Sequence, residues 1–446
     1  MITSLRCENF RCFRDTGVLK IAPITLLVGE NNSGKSSIIQ ALQLPALTLQ
    51  SEDPGLCLKL LHPDYDYGSF KDIIFKHEQK SFLTLSFGAV VNVNVIGNKK
   101  PSSKRVQVTL RLTYGYLQRR KEIYLHEFII EDEKGERFKV CQNKYSKSKN
   151  VLMRGHEDKS AYLSRLFERK GFFFEPRLDT FSTLNRLKRK YGEKIAQKLL
   201  VDLYINIQLI YGFRYNFRNI KLLGPLRVPP NRTYLYSGEV SEEIGAKGQF
   251  ALQNYAALLK RRKKEDMEKV KSINNSLYKL GFINELNTRK IGTRHYEFWT
   301  KHKESSFRAN LADTGFGASQ VIPVVILLYT SPPGSTLLFE QPELHLHPAG
   351  QAELGSIFAK ICSPEKRIII ETHSENLILR IQTEVAKGKL NPSDVVIYYI
   401  KPNSSGHQIT IIPLNEKGEF LNEWPKGFFE ENYIESLKLS KARHGE

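Results

Sequence analysis

Cysteine is sparse and carries no pairing pattern. The five, Cys7, Cys12, Cys57, Cys141 and Cys362, form an odd number with no C-x-x-C spacing. That excludes a disulfide framework and a thiolate zinc site and predicts a cytoplasmic compartment. Long hydrophobic runs are missing too. No apolar stretch approaches the roughly 20 residues that span a bilayer, and no N-terminal stretch has the charged, apolar, small-residue order of a signal peptide, so no membrane role is expected. No heptad seam persists and no unit recurs at solenoid period, which sets aside extended coiled coils and repeat arrays. Acidic residues are the remaining shortage: 47 stand against 67 Lys and Arg, for a formal charge of +20. An excess this large favours a polyanionic partner, nucleic acid being the commonest, over a merely basic surface or one that docks an acidic protein.

What is present supports a globular chain of two or three domain-sized units, with 446 residues and 41% hydrophobic content. The pattern from Ile24 to Ile39 is the most informative stretch. An apolar strand runs into Gly29-Glu-Asn-Asn-Ser-Gly-Lys-Ser36 and then into a helical Ile38-Ile39-x-x-Leu42 stripe, the layout of a P-loop. Gly29 and Gly34 let backbone N–H groups of Asn31, Asn32 and Ser33 curl around a triphosphate, Lys35 reaches the outer phosphates, and Ser36 ligates Mg²⁺, with Ser37 beside it. ATP and Mg²⁺ are the expected ligands.

Upstream, Met1 to Phe13 and Val18 to Ile21 read as short strands, and Asn9-Phe10-Arg11 lies where a side chain could touch the nucleotide or simply belong to an edge strand. From Ser81 to Val140 apolar and polar residues alternate, as in Val106-Gln-Val-Thr-Leu-Arg-Leu112, which predicts an antiparallel meander. Between Lys144 and Lys221 the pattern turns helical and basic, and a helix from Phe250 to Leu280 is expected to contain Lys260, Arg261, Arg262, Lys263 and Lys264, a candidate phosphate-binding run as well as a candidate solvated face. Two later apolar strands end in chemistry: Ser335-Thr-Leu-Leu-Phe-Glu-Gln-Pro-Glu343 in acids, and Arg367-Ile-Ile-Ile-Glu-Thr-His-Ser374 in a histidine, with a helix from Ala349 to Cys362 between them. Such β-α-β units imply a mostly parallel sheet with helices on its faces, an α/β core discontinuous in sequence.

The order P-loop, Asp313-Thr-Gly-Phe-Gly-Ala-Ser-Gln320, Leu338-Phe-Glu-Gln-Pro-Glu343, Thr372-His-Ser374 resembles the ABC-type ATPases of the SMC and RecF-like class, where these are Walker A, signature, Walker B and H-switch. Glu340-Gln-Pro-Glu-Leu-His-Leu-His-Pro348, Gly224-Pro-Leu-Arg-Val-Pro-Pro230 and Gly418-Glu-Phe-Leu-Asn-Glu-Trp-Pro-Lys-Gly-Phe-Phe429 are more closely similar to a bacterial AAA-type family with a C-terminal domain of unknown function. Its relatives include the overcoming-lysogenization-defect ATPases and the phage-defence ATPases of Septu and PARIS type. The resemblance implies an ABC-type P-loop ATPase core with an antiparallel β subdomain and a basic helical insertion. Its segments would be 1–90 (Walker A), 91–143 (meander), 144–300 (insertion), 301–400 (signature, Walker B, H-switch) and 401–446 (family C-terminal domain). It also implies a homodimer or higher homo-oligomer in which two protomers sandwich ATP. The signature residues Gly315, Gly317, Ser319 and Gln320 would face the partner's γ-phosphate, Glu340 would hold Mg²⁺ with Ser36, and His373 would hydrogen-bond the γ-phosphate.

One departure from that pattern matters. Gln341 stands where ABC enzymes usually carry a glutamate that polarises the attacking water, and an amide orients water but accepts no proton. Slow hydrolysis, or substitution by Glu343 as base, is therefore expected. His345 and His347 sit in a proline-flanked loop, which favours structural roles over a metal pair. Residues 349–446 lack the clustered acids of a topoisomerase-primase nuclease, and no H-N-H or metal-carboxylate nuclease pattern occurs elsewhere, so a nuclease-like effector is expected on another chain. The resemblance implies an ATPase acting as sensor and scaffold in anti-phage defence. The alternatives are a RecF-like DNA repair or recombination ATPase and a nucleotide-locked scaffold that does not hydrolyse. Gln50 and the Tyr67-Gly68 loop are candidates for a Q-loop.

Overall fold

The computed structural model describes residues 1–95, 102–142, 149–176, 180–235, 243–281, 283, 285–301, 307–403, 406–423 and 438. By contacts the chain divides into two units: Met1–Ile21, Ser37–Ile220 and Asn403–His407 form one, and Ala22–Ser36, Lys221–Pro402 and Gln408–Glu446 the other. The boundary at residue 220 falls inside the segment 144–300 that the sequence treats as one basic insertion.

Alternating apolar and polar residues build the first unit, since period-two patterning gives a strand one buried face. Leu83–Val95, Ser102–Leu117, Glu122–Asp132, Gly135–Gln142 and Lys149–Met153 follow one another as antiparallel neighbours in an eight-stranded sheet, and Ile2–Phe10 pairs with the first of them. The helix Glu193–Arg218 packs on this sheet where Gly212 permits it: a Cβ there would lie 2.3 Å from a methyl of Val91. Phe87 meets Phe217 edge-on across the same contact, with ring centroids 5.0 Å apart. The stretch expected to be helical is mixed. Phe167–Lys170 and Phe173–Pro176 pair as a hairpin, and helix returns at Thr180–Tyr191.

Continuous apolar runs build the second unit. Ile24–Gly29 is buried along its whole length, as expected of a parallel strand covered on both faces. The sheet runs Ile220–Leu223, Thr336–Glu340, Arg367–Glu371, Ile24–Gly29, Val395–Asn403, Gly406–Ile412, and the four central members are mutually parallel. Phe316–Thr330, Pro348–Ile361 and Glu375–Ala386 contribute helical residues to one contiguous core with these strands. Ala251–Arg261 and Lys264–Lys279 join the same core.

These last two helices correct an expectation. Arg262, at φ 51°, ends one helix in the left-handed region and Lys263 precedes the next, so the run from Lys260 to Lys264 straddles a break between two helices rather than lying within one. The tail packs at Gly418: the Gln382 side-chain amide donates to Gly418 O at 2.7 Å, and a Cβ on Gly418 would lie 2.2 Å from Gln382 O. The remainder of the quoted tail motif, from Trp424 to Phe429, lies outside the described residues.

Candidate nucleotide-binding site

The P-loop strand ends at Gly29 because nothing larger fits. Its φ is 142°, and a Cβ there would stand 2.2 Å from Ile400 O of the neighbouring parallel strand. Asn32 (φ 59°) and Gly34 (φ 96°) supply the left-handed steps that curl the loop, a backbone form that collects N–H groups into an anion-binding concavity. Lys35 opens the helix Lys35–Leu49 yet is only 3% exposed, because its Nζ folds back to donate to Gly29 O at 3.0 Å and Glu30 O at 2.7 Å. Burial lowers its pKa. The Ser33 hydroxyl is buried in the loop without a hydrogen-bond partner. An orphaned donor beside a lysine bonded only to loop carbonyls suits a phosphate, which would satisfy both. Asn31 is exposed, and the Ser37 hydroxyl is met by the Cys12 thiol at 3.9 Å.

Two carboxylates share the ends of adjacent strands. Glu340 and Glu371 are register partners, and the Ser36 hydroxyl donates to Glu371 Oε2 at 2.8 Å. Burial first, and then the charge of Glu371, push the Glu340 carboxyl up to about 7, while burial alone is the leading cause of the rise at Glu371. Oxygen donors of this kind fit a hard divalent cation, whose charge would favour the ionised form of both groups. Ser36, Glu340 and Glu371 are the residues that would hold Mg²⁺. Glu371 escaped the sequence analysis, although its position, closing an apolar strand as Glu340 closes another, was a usable signal.

Beyond Glu340 the chain turns sharply. Gln341 adopts φ 44° and gives its N–H to Glu371 O at 2.8 Å. Glu343, 5% exposed, accepts the Thr372 hydroxyl at 2.7 Å and the His373 N–H at 2.9 Å on one oxygen, while its other oxygen is buried without a partner. Burial raises this carboxyl above its ordinary range despite those donors. Glu343 therefore clamps the loop after Glu340 to the Thr372 hydroxyl and the His373 backbone. Ser374 then caps the helix Glu375–Ala386 by accepting from Leu377 N–H. His373 itself is lowered, first by burial and then by the charge of Lys35, which favours the neutral imidazole.

Arg227, within the Gly224 to Pro230 segment, is the second residue missed. It is 5% exposed and donates to Gln320 O (3.2 Å), Glu340 O (3.1 Å) and Gln341 O (3.2 Å). Burial draws the guanidinium down to about 10, against the opposing charges of Glu343 and Glu340. The bonds tie the start of the Phe316–Thr330 helix to the turn at Gln341. Arg227→Ala is expected to lower stability by about 3–5 kcal/mol, because it removes charge-assisted bonds and strands buried carbonyls. Equilibrium denaturation measures this, and a loss under about 1 kcal/mol would show the bonds to be dispensable.

Gly315 is exposed and precedes the helix, but Ala318 N–H already bonds Gly315 O, and Ser319 and Gln320 are buried. The expected glycine-rich turn is thus confined to its first residues, with Gly317 inside the first helical turn. In the basic turn, Arg261 pairs with Asp266 at 3.0 Å. His347 accepts the Ala349 N–H at 3.4 Å as a helix cap. Among the described residues no cluster of three or more His, Cys, Asp or Glu could hold a metal.

Three family descriptions match the chain. "AAA ATPase domain" covers residues 1–191, "AAA domain, putative AbiEii toxin, Type IV TA system" covers 174–380, and "Protein of unknown function (DUF3696)" covers 390–439. No curated protein matches the sequence. Similar solved structures include an SMC head bound to the C-winged helix domain of ScpA (12% identity, 93% of this chain and 98% of that one, TM-score 0.44). They also include the SMC head domain from Thermotoga maritima (11%, 93% and 99%, TM-score 0.38) and a Pyrococcus furiosus Smc head domain with an extended coiled coil, bound to the C-terminal domain of ScpA (10%, 99% and 99%, TM-score 0.41). The two AAA matches, which contain the P-loop and the segment with Glu340 and His373 respectively, each cover less than half of the chain and support an ATP-binding ATPase.

Proposed function

We propose that the chain is a slowly hydrolysing ATPase that acts as a nucleotide-gated sensor and scaffold in bacterial anti-phage defence, regulating a separate nuclease-like effector. The observation that carries the slow chemistry is the turn after Glu340. Gln341 offers only an amide, and Glu343 is held by the Thr372 hydroxyl and the His373 N–H on one oxygen with its other oxygen buried, so neither is placed to take water's proton. In this reading Gly29, Asn31, Asn32, Ser33, Gly34 and Lys35 bind the phosphates, and Ser37 supports the helix start behind them. Ser36, Glu340 and Glu371 hold Mg²⁺, which would neutralise phosphate charge. Gln341 orients water, and neutral His373 hydrogen-bonds the terminal phosphate. Gly315 and Gly317, and through them the helix bearing Ser319 and Gln320, present a helix N-terminus to the ATP of a second copy, giving a homodimer or a larger assembly of such dimers. The turn from Lys260 to Lys264 contacts nucleic-acid phosphates. Support for the defence role comes from the sequence resemblance and from the match to the family described as a putative AbiEii toxin.

The test is turnover of MgATP by the purified chain. We expect less than about 1 s⁻¹, the low end of ordinary enzyme rates, with dimers that persist while ATP is bound. Faster turnover overturns the slow-switch reading. Deletion of the gene separates the alternative: sensitivity to DNA damage with unchanged phage resistance would favour RecF-like repair.

A further inference from the structure

The first unit holds a second concave site, far along the sequence from the P-loop and independent of the reading above. The far ends of Ser102–Leu117 and Glu122–Asp132, with the segment leading into Leu83–Val95, enclose a cavity of 670 Å³. Lys80, Phe82, Tyr116, Arg119, Arg120 and Tyr124 line it, and no carboxylate does so among the described residues.

Its aromatic residues are held as ring surfaces. Phe82 is 42% exposed and stacks on His126, with centroids 4.5 Å apart and planes 16° apart. Tyr116 stacks on buried Phe70 at 5.4 Å and 6°. Tyr124 lies over Gly115, its cross-strand partner: a Cβ at 115 would stand 2.7 Å from its ring atoms. The glycine makes room for the tyrosine.

Its cations are uncommitted. Arg119, Arg120 and Lys121 form the tight turn between the two strands, and with Lys80 they are exposed and make no ion pair among the described residues. By contrast, several cations elsewhere on this unit are paired, Arg111 with Glu131, Lys139 with Glu127 and Arg154 with Asp132. Like charges gathered around a cavity raise its positive potential and favour an anionic ligand. A flat, partly exposed ring framed by free cations matches one ligand chemistry: bases that stack, on a backbone of phosphates.

We propose that this cavity binds single-stranded nucleic acid, a base stacking on Phe82 while Lys80, Arg119, Arg120 and Lys121 contact the flanking phosphates. A duplex hides its base faces and would use only the cations.

The experiment is fluorescence anisotropy of the full chain with labelled oligodeoxythymidylate, oligouridylate and a DNA duplex over a salt series. Phe82→Ala is expected to weaken the better-bound single strand about tenfold or more, with its salt slope and duplex affinity unchanged, and Phe82→Trp to restore it. Arg119→Glu with Arg120→Glu is expected to flatten the salt slope. The better-bound oligomer identifies DNA or RNA as the ligand. Phe82→Leu keeps the bulk without the π face and serves should the alanine variant fold poorly. Equal single-strand affinity in wild type and Phe82→Leu, or a parallel loss for duplex and single strand, overturns the proposal, as does absence of single-strand binding by wild type.

Discussion

Lys35→Ala is expected to abolish tight ATP binding, with a loss of about 100-fold or more in affinity. The lysine is the cation built into the loop, and a charge-assisted hydrogen bond to phosphate is worth about 1.5–3 kcal/mol, so losing two reaches this range. Its present bonds, to Gly29 O and Glu30 O, mean that the amine must exchange carbonyls for phosphates when nucleotide arrives. Titration calorimetry with ATP measures the loss. The melting temperature without nucleotide separates it from loop collapse: a sound variant melts near wild type but loses the upward shift that ATP gives. Undiminished ATP affinity would show that this loop does not bind the nucleotide phosphates.

The second large effect concerns the base. Gln341→Glu places a carboxylate beside Glu340 where the amide now stands, and turnover is expected to rise about 100-fold, the lower reach of general-base catalysis. Glu343→Gln is the matching control. Glutamine keeps a carbonyl oxygen to accept from Thr372 and His373, the two donors that Glu343 now binds, so the clamp survives and basal turnover is expected to change little. Glu343→Ala instead removes the clamp and should free the His373 backbone. If Glu343→Gln abolishes hydrolysis while Gln341→Glu leaves it unchanged, Glu343 is the base and slow turnover needs another cause. Single-turnover measurements keep chemistry apart from product release.

The parts of this structure that were legible in sequence are those specified locally. The P-loop announces itself because strand, glycines, lysine and helix are contiguous, and the antiparallel sheet because each strand carries its own alternation. Glu371 and Arg227 were not legible for the opposite reason. Glu371 reaches Ser36 across 335 residues, and Arg227 acts on Gln341 across 114, so neither neighbourhood announces the partner. The break at Arg262 was hidden by good helix formers on both sides, and the Arg261–Asp266 pair spans it. The hairpin Phe167–Lys170 with Phe173–Pro176 is hidden in a helical-looking stretch because short apolar runs carry no decisive period.

The strand order of the parallel sheet has a consequence for how the protein is made. Ile24–Gly29 leaves the ribosome early, but its two neighbours are Arg367–Glu371 and Val395–Asn403. Throughout most of synthesis this apolar strand has no edge to pair with, and the loop behind it has neither Glu371 for its serine nor the Ile400 backbone against Gly29. Late closure of so distant a contact is slow and leaves an aggregation-prone edge open. It also gives the cell a safeguard. A nascent or prematurely terminated chain lacks Glu371 for Ser36 and the Ile400 backbone against Gly29, so the complete nucleotide site forms only in molecules whose synthesis has passed the last of these strands.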